Sequence, residues 1–396
     1  DSKNSYLKID SIISAAELTD ADAIHPGYGF LAENSKFSEI CKENNFHFIG
    51  PNSNIISLMG NKSKAKELMK SSGVPVVPGN NKTLNDSKDA ICLADKIGYP
   101  IMLKASSGGG GKGMRVVKSR EEVESAFNIA KEEAISFFND DEIYIEKFIS
   151  NPRHIEIQIM GDINNNIISF GERECSIQRR HQKLIEESPS PYVDDELRMK
   201  MSEAAIRGAK AVNYIGAGTV EFLVDDYRNF YFMEMNTRIQ VEHPVTEMVT
   251  SQDLIKTQIL CHYGMPLSPK LRDIKFRGHS IECRINAEDP FNGFCPSPGK
   301  ITSLHMPGGM GVRVDTHLYS GYIIPPNYDS MIAKIIVHAP SRIEAINRMS
   351  GALDECVIEG INTTIPFHKK ILSDKNFISG NFTTGFLDNF IIEKEI

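Results

Sequence analysis

The stretch Glu234-Met-Asn-Thr-Arg-Ile-Gln-Val-Glu-His-Pro244 carries polar side chains at five alternate positions. In a β-strand alternate side chains point to one face, so the pattern predicts a single strand face made of carboxylates, amides and a guanidinium. Those residues are Glu234, Asn236, Arg238, Gln240 and Glu242. Burying such groups without partners would cost roughly 1–3 kcal/mol each. The face must therefore meet ions, water or a substrate rather than a hydrophobic core.

A second strand with a carboxylate precedes this stretch. Residues 219–224 form it and include Glu221, and the polar turn 225–229 leads into the opening stretch. Strands joined by a short turn pair with each other, so Glu221 and Glu234 are expected to lie close together. Two carboxylates and the Asn236 amide make an oxygen-rich site that suits Mg²⁺ or Mn²⁺. The alternative is a pair of exposed glutamates, but facing like charges repel, which favours a cation.

The rest of the polar face suits a small oxyanion. Arg238 offers an anion-binding guanidinium, Gln240 a hydrogen-bonding amide and Glu242 a candidate base. Arg284 is a candidate second anion ligand, although a surface ion pair would explain it equally well. The basic cluster at residues 178–183 has two interpretations of equal weight, a functional loop and a solvated turn.

A glycine-rich segment lies at residues 108–113, where five of six residues are glycine. A P-loop needs Ser or Thr after its lysine, and Gly113 stands there instead. A dinucleotide fingerprint must open a helix, whereas the β-forming run 115–117 follows. The remaining interpretations are a plain surface turn and, as we favour, a glycine hairpin whose backbone N–H groups close over a triphosphate. Lys104, on the strand just before this segment, is a candidate phosphate ligand, whereas Lys62, which follows Gly60 and Asn61, is by itself only a weak one.

Composition restricts the class of protein. The 396 residues exceed the size at which one hydrophobic core usually stops growing, so two or three domains are expected. A net charge of −8 argues against sequence-independent binding to nucleic acid. The seven cysteines form no C-x-x-C pair, which indicates neither a zinc site nor a disulfide framework and favours a reducing cytoplasm. No apolar run approaches the roughly eighteen residues of a membrane span.

Short apolar runs alternate with helical patterns, which predicts an α/β and α+β multidomain protein. Strands are predicted at residues 21–25, 46–49, 101–104, 114–117, 143–145, 154–159, 219–224 and 230–236. One helix is predicted from residue 196 to about residue 214, and Ser341 and Glu344 are predicted to cap another. A domain change is expected near residues 266–269, and a nested lobe between residues 75 and 149.

Motifs at residues 25–34, 104–114, 151–156, 178–183, 234–246 and 282–290 together resemble the biotin carboxylase family of the ATP-grasp superfamily. The resemblance covers nearly the whole chain, and several long motifs in one order are far more specific than a single glycine loop. It implies an ATP-grasp fold. The implied domains are a residual Rossmann-like pre-ATP-grasp portion at 1–60, an ATP-grasp domain at 66–263 with a mobile lid at about 76–149, and a biotin carboxylase C-terminal domain at 278–387.

The resemblance also implies a role for each motif residue. ATP would be bound by Lys62, Lys104, Gly110, Gly111, the hinge residues Glu146, Lys147, Phe148 and Ile149, and by His154, Gln178, His181, Glu221 and Glu234. Two Mg²⁺ or Mn²⁺ ions would be bound by Glu221, Glu234 and Asn236. Bicarbonate would be bound by Lys183, Arg238, Gln240, Val241 and Arg284, with Arg284 also close to biotin. Catalysis would depend on Glu242 as the base, together with Arg238 and Lys183.

The activity implied by the resemblance is ATP-dependent carboxylation of biotin by bicarbonate. Glu242 would deprotonate bicarbonate, which attacks the γ-phosphate to give carboxyphosphate. This would decompose to CO₂ and phosphate, the phosphate would take the ureido proton of biotin, and Arg238 would stabilise the resulting enolate-like oxygen. The alternatives are another ATP-grasp ligase, the biotin carboxylase subunit of another acyl-CoA or pyruvate carboxylase, and an inactive fragment that retains nucleotide binding.

The resemblance carries two expectations about the ends of the chain. The family normally begins with a further strand–helix–strand segment of roughly fifty residues, so a fragment or an incomplete domain is expected. No biotin-attachment segment follows the carboxylase portion, so biotin is expected on a separate carrier protein. The expected setting is a cytoplasmic acetyl-CoA carboxylase that makes malonyl-CoA for fatty-acid synthesis. The expected partners are that carrier, the carboxyltransferase subunits and a second copy of this chain, with neither nucleic acid nor a membrane.

Overall fold

The structure, a computed structural model, describes residues 1–80, 83–105, 114–138 and 141–390. Within those residues the α-helices, α1 to α12 in chain order, are Ile9–Leu18, Ser35–Glu43, Ser53–Gly60, Lys62–Ser71, Ser87–Ile97, Val123–Phe138, Asp195–Ala211, His243–Thr250, Leu254–His262, Arg342–Glu355, Ile365–Ser373 and Lys375–Ser379. The strands, β1 to β20, are Ala23–Ile24, His47–Phe48, Gly79–Asn80, Ile101–Ala105, Met114–Val117, Ile143–Lys147, Arg153–Gly161, Ile167–Arg179, Gln182–Ser188, Gly216–Val224, Phe230–Asn236, His279–Asn286, Glu288–Asp289, Cys295–Pro296, Gly299–Lys300, Ser303–His305, Val312–Thr316, Ile323–Ile324, Met331–Ala339 and Val357–Glu359.

An eight-stranded antiparallel sheet forms the centre of the molecule. Its strand order is β11-β10-β7-β8-β9-β12-β19-β17. Helices cover both faces of its middle: Ile155, Ile157 and Ile159 pack in a cluster with α7, whereas Met160 and Phe170 pack with α9. Every residue of β7 is therefore buried. Because both faces are covered, the polar residues of these strands must find partners inside the protein.

A smaller four-stranded sheet forms the lobe that the sequence places between residues 75 and 149. Its order is β3-β6-β4-β5, and α5 and α6 pack against it. The predicted glycine hairpin, including Gly110 and Gly111, lies outside the described residues. This lobe contributes Lys104, on β4, and Glu146, on β6, to the space between the two sheets.

The C-terminal portion extends the large sheet rather than starting a separate one. Residues 280–283 of β12 pair with residues 185–188 of β9, and β19 and β17 follow outward. Helix α10 packs on β12 and β19, and its N-cap Ser341 accepts from the Glu344 amide as predicted. The sheet is thus continuous between the predicted 66–263 and 278–387 domains. This continuity places side chains from both portions on one surface.

The N-terminal portion contains the parallel pair β1 and β2, with α1 and α2 packed around Ile13, Phe37 and Cys41. Together with the two sheets, this mixed α/β architecture in several domains confirms the predicted fold class. Among the described helices, none combines the length and the apolarity needed to cross a membrane.

Candidate functional site

A cleft of about 1490 Å³ opens between the small lobe and the large sheet, and the C-terminal portion closes one end. Every predicted site residue that the structure describes lines this cleft. They are Lys62, Lys104, Glu146, Lys147, Phe148, Ile149, His154, Gln178, His181, Lys183, Glu221, Glu234, Asn236, Arg238, Gln240, Val241, Glu242 and Arg284. The tertiary structure therefore brings together residues from five motifs that are far apart in sequence.

The prediction that one strand carries the whole opening stretch is wrong. Strand β11 ends at Asn236, and helix α8 begins at His243 with Pro244 in its first turn. The chain leaves the sheet because the Thr237 amide donates to Glu33 Oε1, at 2.9 Å, instead of pairing with β10. Arg238, Gln240 and Glu242 therefore reach the cleft from a loop. These three side chains all line the cleft because of the conformation of the loop, and not because they alternate along a strand.

Glu221 and Glu234 lie directly opposite each other on β10 and β11, as predicted. Glu221 is buried and its Oε1 accepts from Lys183 Nζ at 2.9 Å, while its Oε2 lies 3.0 Å from His154 Nε2. Burial alone would raise the pKa of Glu221, but Lys183 and His154 outweigh it and hold that pKa well below its usual range. Glu234 is half-exposed, with Lys62 Nζ at 3.5 Å. Two carboxylates that face each other form a place where a cation is favoured.

Lys183 lies at the centre of the charge network. Its Nζ donates to Glu156 Oε2 at 2.6 Å, to Glu242 Oε1 at 2.7 Å and to Glu221 Oε1 at 2.9 Å. Burial would lower the pKa of Lys183, yet these three carboxylates raise it well above the ordinary value. The ammonium is therefore permanently charged and fixed. A small anion that enters the cleft meets it without any rearrangement of the strand β9 that carries it.

Glu242 is held between two cations. Its Oε1 accepts from Lys183, and its Oε2 accepts from Arg284 Nη2 at 2.9 Å. Burial would raise the pKa of Glu242, but Lys183 and Arg284 lower it below its usual range. The preceding carbonyl, that of Val241, accepts from Lys334 Nζ at 2.7 Å. Glu242 is thus fixed and ionised, and it becomes a stronger base once a substrate anion takes one of its two cations.

The other end of the cleft carries the residues predicted for nucleotide binding. Glu146 pairs with Lys104 Nζ at 2.6 Å and also with Lys66 Nζ. Lys147 turns away, and its Nζ donates to the carbonyls of Gly98 and Tyr99, both at 2.9 Å. The contacts of Lys147 therefore anchor the end of strand β6, whereas Glu146 faces the cleft.

The basic cluster at residues 178–183 forms the tight connection between β8 and β9. Arg180 and His181 occupy its turn with φ of 49° and 67°, values in the left-handed region. Gln178 and Lys183 are a facing pair at its base. The cluster is therefore a hairpin whose base lines the cleft. This supports the interpretation as a functional loop over that as a solvated turn.

Several residues of the site escaped the sequence analysis. Glu156 and Arg173 are both fully buried, and Arg173 Nε donates to Glu156 Oε1 at 2.5 Å. Glu33 accepts from Arg238 Nε at 2.8 Å. Lys66 and Lys334 complete this group. The available signal was charge within apolar strands, as in the run 172–174 of β8, since ionised residues are almost never fully buried without a partner.

Possible metal-ligand atoms also cluster at residues outside the predicted metal site. His154, Glu156 and Glu221 each place a possible metal ligand so that these atoms lie within 4.8 Å of one another. Asn236 Nδ2 donates to Glu221 Oε1 at 2.9 Å, while its Oδ1 accepts from Arg238. The carboxylates of Glu221 and Glu234 are oxygen donors of the type that Mg²⁺ prefers. Glu221 and Glu234 therefore fit a divalent cation. For Asn236 to become a third ligand, its Oδ1 would have to give up the hydrogen bond from Arg238.

Comparison with known proteins identifies the family. Residues 1–56 match the family model "Biotin carboxylase, N-terminal domain", residues 61–270 match "Carbamoyl-phosphate synthase L chain, ATP binding domain" and residues 282–389 match "Biotin carboxylase C-terminal domain". The chain is 56% identical to Biotin carboxylase 1 of Bacillus subtilis, over 98% of this chain and 87% of that protein. It is 53% identical to a pyruvate carboxylase subunit of Methanothermobacter thermautotrophicus, over 98% of this chain and 78% of that protein.

Solved structures show the same architecture. The biotin carboxylase domain dimer of Hydrogenobacter thermophilus 2-oxoglutarate carboxylase, a complex with MgADP, ADP and bicarbonate, superposes with a TM-score of 0.87. It is 49% identical, and the match covers 97% of this chain and 84% of that one.

Proposed function

The chain belongs to the biotin carboxylase family, whose activity is ATP-dependent carboxylation of biotin, and from that premise we propose the detailed function that follows. The chain is the biotin carboxylase subunit of a cytoplasmic acetyl-CoA carboxylase. It carboxylates biotin on a separate carrier protein, and carboxyltransferase subunits then form malonyl-CoA for fatty-acid synthesis. The working form is a homodimer, as the Hydrogenobacter domain is described.

The position of Glu242 between Lys183 and Arg284 is the observation that carries this proposal. Two cations fix this carboxylate, and the same cleft contains Lys62 and Lys104, the candidate phosphate ligands. This arrangement suits deprotonation of a bound anion next to a phosphate donor. Bicarbonate would displace the carboxylate from one cation and take its place. Lys183, Arg238, Gln240, the Val241 amide and Arg284 would hold it.

Nucleotide would bind at the small-lobe end of the cleft. Lys62 and Lys104 would contact the phosphates, and residues 146–149 would frame the adenine, with His154, Gln178 and His181 nearby. Glu221, Glu234 and Asn236 would hold two Mg²⁺ or Mn²⁺ ions. When bound, such ions neutralise charge on the phosphates and the attacking oxygen. The Hydrogenobacter complex with MgADP and bicarbonate supports this arrangement.

The residues of this chain then divide the reaction between them. Glu242 takes the proton of bicarbonate, and Lys183 and Arg238 orient the anion for attack on the γ-phosphate. Carboxyphosphate releases CO₂ and phosphate, and phosphate removes the ureido proton of biotin. Arg238 stabilises the enolate-like oxygen that results, and Arg284 holds phosphate beside biotin. Closure of the small lobe excludes water, which would otherwise hydrolyse the intermediate.

A second candidate shares all of this chemistry and differs in the final acceptor. The 53% identity to the Methanothermobacter pyruvate carboxylase protein, and the likeness to the 2-oxoglutarate enzyme, favour a 2-oxo acid as that acceptor. Reconstitution with carrier and carboxyltransferase subunits from the same organism distinguishes the two. Incorporation of labelled bicarbonate into malonyl-CoA supports the acetyl-CoA role, and incorporation into the carboxylation product of pyruvate or of 2-oxoglutarate supports the alternative.

The first prediction concerns Glu242. Replacing Glu242 by Gln removes the base but keeps its shape, so bicarbonate-dependent ADP release in the presence of biotin should fall about 100- to 10,000-fold. Nucleotide affinity should stay within about threefold, because the partners of Glu242 are Lys183 and Arg284 rather than Lys62, Lys104 or residues 146–149. The matched control is Glu203→Gln, an exposed substitution on α7. Unchanged turnover in Glu242→Gln would contradict the assigned role, and failure of biotin to stimulate ADP release in the wild type would contradict the biotin activity.

A further inference from the structure

A pair of buried glutamates lies behind the anion end of the cleft. Glu186 on β9 and Glu282 on β12 are directly opposed in the antiparallel register, and neither is exposed at all. Opposed residues on neighbouring strands carry their side chains on the same face, with Cβ atoms about 5 Å apart. The mechanism above uses neither residue. Two carboxyl groups are therefore placed side by side in the dry interior.

The two glutamates have few partners. Glu186 Oε1 accepts from Arg284 Nε at 2.5 Å. Among the described residues, Glu186 Oε2 and both oxygens of Glu282 have no hydrogen-bond partner. Buried carboxylate oxygens without donors are strongly disfavoured, whereas a protonated carboxyl brings its own donor.

The surrounding charges do not neutralise both groups. Four charged groups surround the pair: Arg284 on β12, Lys334 on β19, Lys183 on β9 and Glu242 in the loop before α8. The other titratable groups nearby are Cys175 on β8, Cys283 on β12, His243 on α8 and Asp315 on β17. Arg284 and Lys183 already pair with Glu242. The Lys334 ammonium contacts the Val241 carbonyl and Asp315, at 2.7 Å and 3.4 Å. Little positive charge remains for a second ionised glutamate.

Electrostatics agrees with this geometry. Burial raises the pKa of Glu282 to about 8, with Lys334 opposing and Glu186 adding to the rise. Burial also raises the pKa of Glu186 to about 7, although Arg284 opposes it. Two buried carboxyl groups on opposed residues cannot both ionise easily, so one proton stays with the pair.

We propose that Glu186 and Glu282 hold one shared proton at neutral pH, and that this carboxyl pair is a positioning device for Arg284. Glu186, ionised, holds the guanidinium through both Nε and Nη2, and Nη2 also reaches Glu242 and the anion that replaces it. Glu282 carries the proton and so keeps a second negative charge away from the site. Loss of the proton at alkaline pH would add a charge that draws Arg284 back and repels the anion. The role of Arg284 in this inference rests on the proposed function.

The test compares Glu282→Gln and Glu186→Gln, because glutamine imitates the protonated carboxyl. Glu282→Gln should keep the KM for bicarbonate within about twofold at pH 7 and should lose the alkaline decline of kcat/KM near pH 8. Glu186→Gln removes a charged acceptor from Arg284, so its KM for bicarbonate should rise about tenfold or more. The matched control is Glu187→Gln, the next residue on β9. Glu187 binds His279 and Arg342 on the other side of the sheet, so this variant should lose stability without a change in the pH profile.

Infrared difference spectroscopy provides a readout that does not depend on activity. The wild type minus Glu282→Gln spectrum at pH 7 should contain a protonated-carboxyl C=O band that titrates away near pH 8. Absence of this band, or an equal rise of KM in both folded variants, would overturn the proposal. If the wild type showed no bicarbonate-dependent ADP release, the proposed function would fail, while the infrared band would still decide whether the pair holds a proton.

Discussion

At the scale of single residues, the site is a set of charges that hold one another in place. Lys183 alone contacts three carboxylates, and Arg284 contacts two. Breaking a buried pair leaves an uncompensated charge and is far costlier than losing a surface pair. Each of these side chains is therefore fixed before any substrate arrives, which is the condition for electrostatic catalysis.

Lys66 was not singled out by the sequence, and its place in the site is recognised only from its pairing with Glu146. Two ammonium groups, Lys66 and Lys104, share the Glu146 carboxylate. Burial raises the pKa of Glu146, and the two lysines together lower it below the ordinary value. If nucleotide phosphates attract Lys104, as the proposed function requires, Lys66 remains as the partner of Glu146.

We therefore predict that Lys66→Met weakens ATP binding about three- to tenfold, because Glu146 then competes for Lys104. Titration calorimetry with a non-hydrolysable ATP analogue measures the change. Lys64→Met, an exposed substitution on the same helix, is the control and should bind as the wild type does. Equal affinity of both variants would show that Lys66 does not support the nucleotide end of the cleft.

The raised pKa of Glu282, about 8, also predicts how stability depends on pH. An unfolded glutamate has a pKa of about 4.3, so between these values the folded state holds a proton that the unfolded state releases. Stability then falls as pH rises through this window, by up to about 1.4 kcal/mol per pH unit. Glu282→Gln removes this loss, and its thermal midpoint relative to the wild type should increase from pH 6 to pH 8. A constant difference between the two proteins would contradict the assignment.

At the scale of elements, the loop between β11 and α8 directs Arg238, Gln240 and Glu242 into the cleft, whereas the alternating sequence pattern predicts a strand there. Glu33, from the N-terminal portion, receives hydrogen bonds from the Thr237 amide and from Arg238 Nε. These two bonds end the strand and aim Arg238 into the cleft. The N-terminal portion thus positions Arg238 of the ATP-grasp portion, a side chain to which we assign a catalytic role.

Glu33→Gln should accordingly lower kcat about tenfold while leaving ATP affinity unchanged. The amide keeps one acceptor but loses the charge that holds Arg238, and partial exposure of this pair limits the effect. Steady-state ADP release with saturating ATP measures kcat. Glu39→Gln, exposed on α2, is the control. A change confined to the KM for ATP would place Glu33 at the nucleotide end instead.

At the scale of the whole molecule, one sheet carries residues from both halves of the chain. Glu187 on β9 is fully buried and contacts His279 on β12 and Arg342 on α10. Burial would raise the pKa of Glu187, yet its bonds to His279 and Arg342 lower it. This triad lies at the join between the ATP-grasp and C-terminal portions, so it stabilises the arrangement that creates the cleft.

Arg342→Met should therefore reduce the free energy of unfolding by about 3–5 kcal/mol, since it leaves Glu187 buried with one partner fewer. Thermal melting followed by circular dichroism measures the shift. Lys200→Met removes only an exposed pair within α7 and should change stability by less than about 1 kcal/mol. Turnover of Arg342→Met at a temperature well below its transition should resemble that of the wild type. A melting shift no larger than that of Lys200→Met would show that the triad adds little to the join.

The sequence by itself determined several of the elements and the chemistry of the motifs, because these depend on neighbouring residues. The facing strands that carry Glu221 and Glu234, the cap at Ser341 and the polar character of residues 234–242 are such local features. Only the tertiary structure decided that β11 ends at Asn236, that Glu33 holds Arg238 and that Glu186 faces Glu282. Those outcomes depend on contacts between residues more than ninety positions apart, and the energy of a buried charge is set by which partners the fold brings to it.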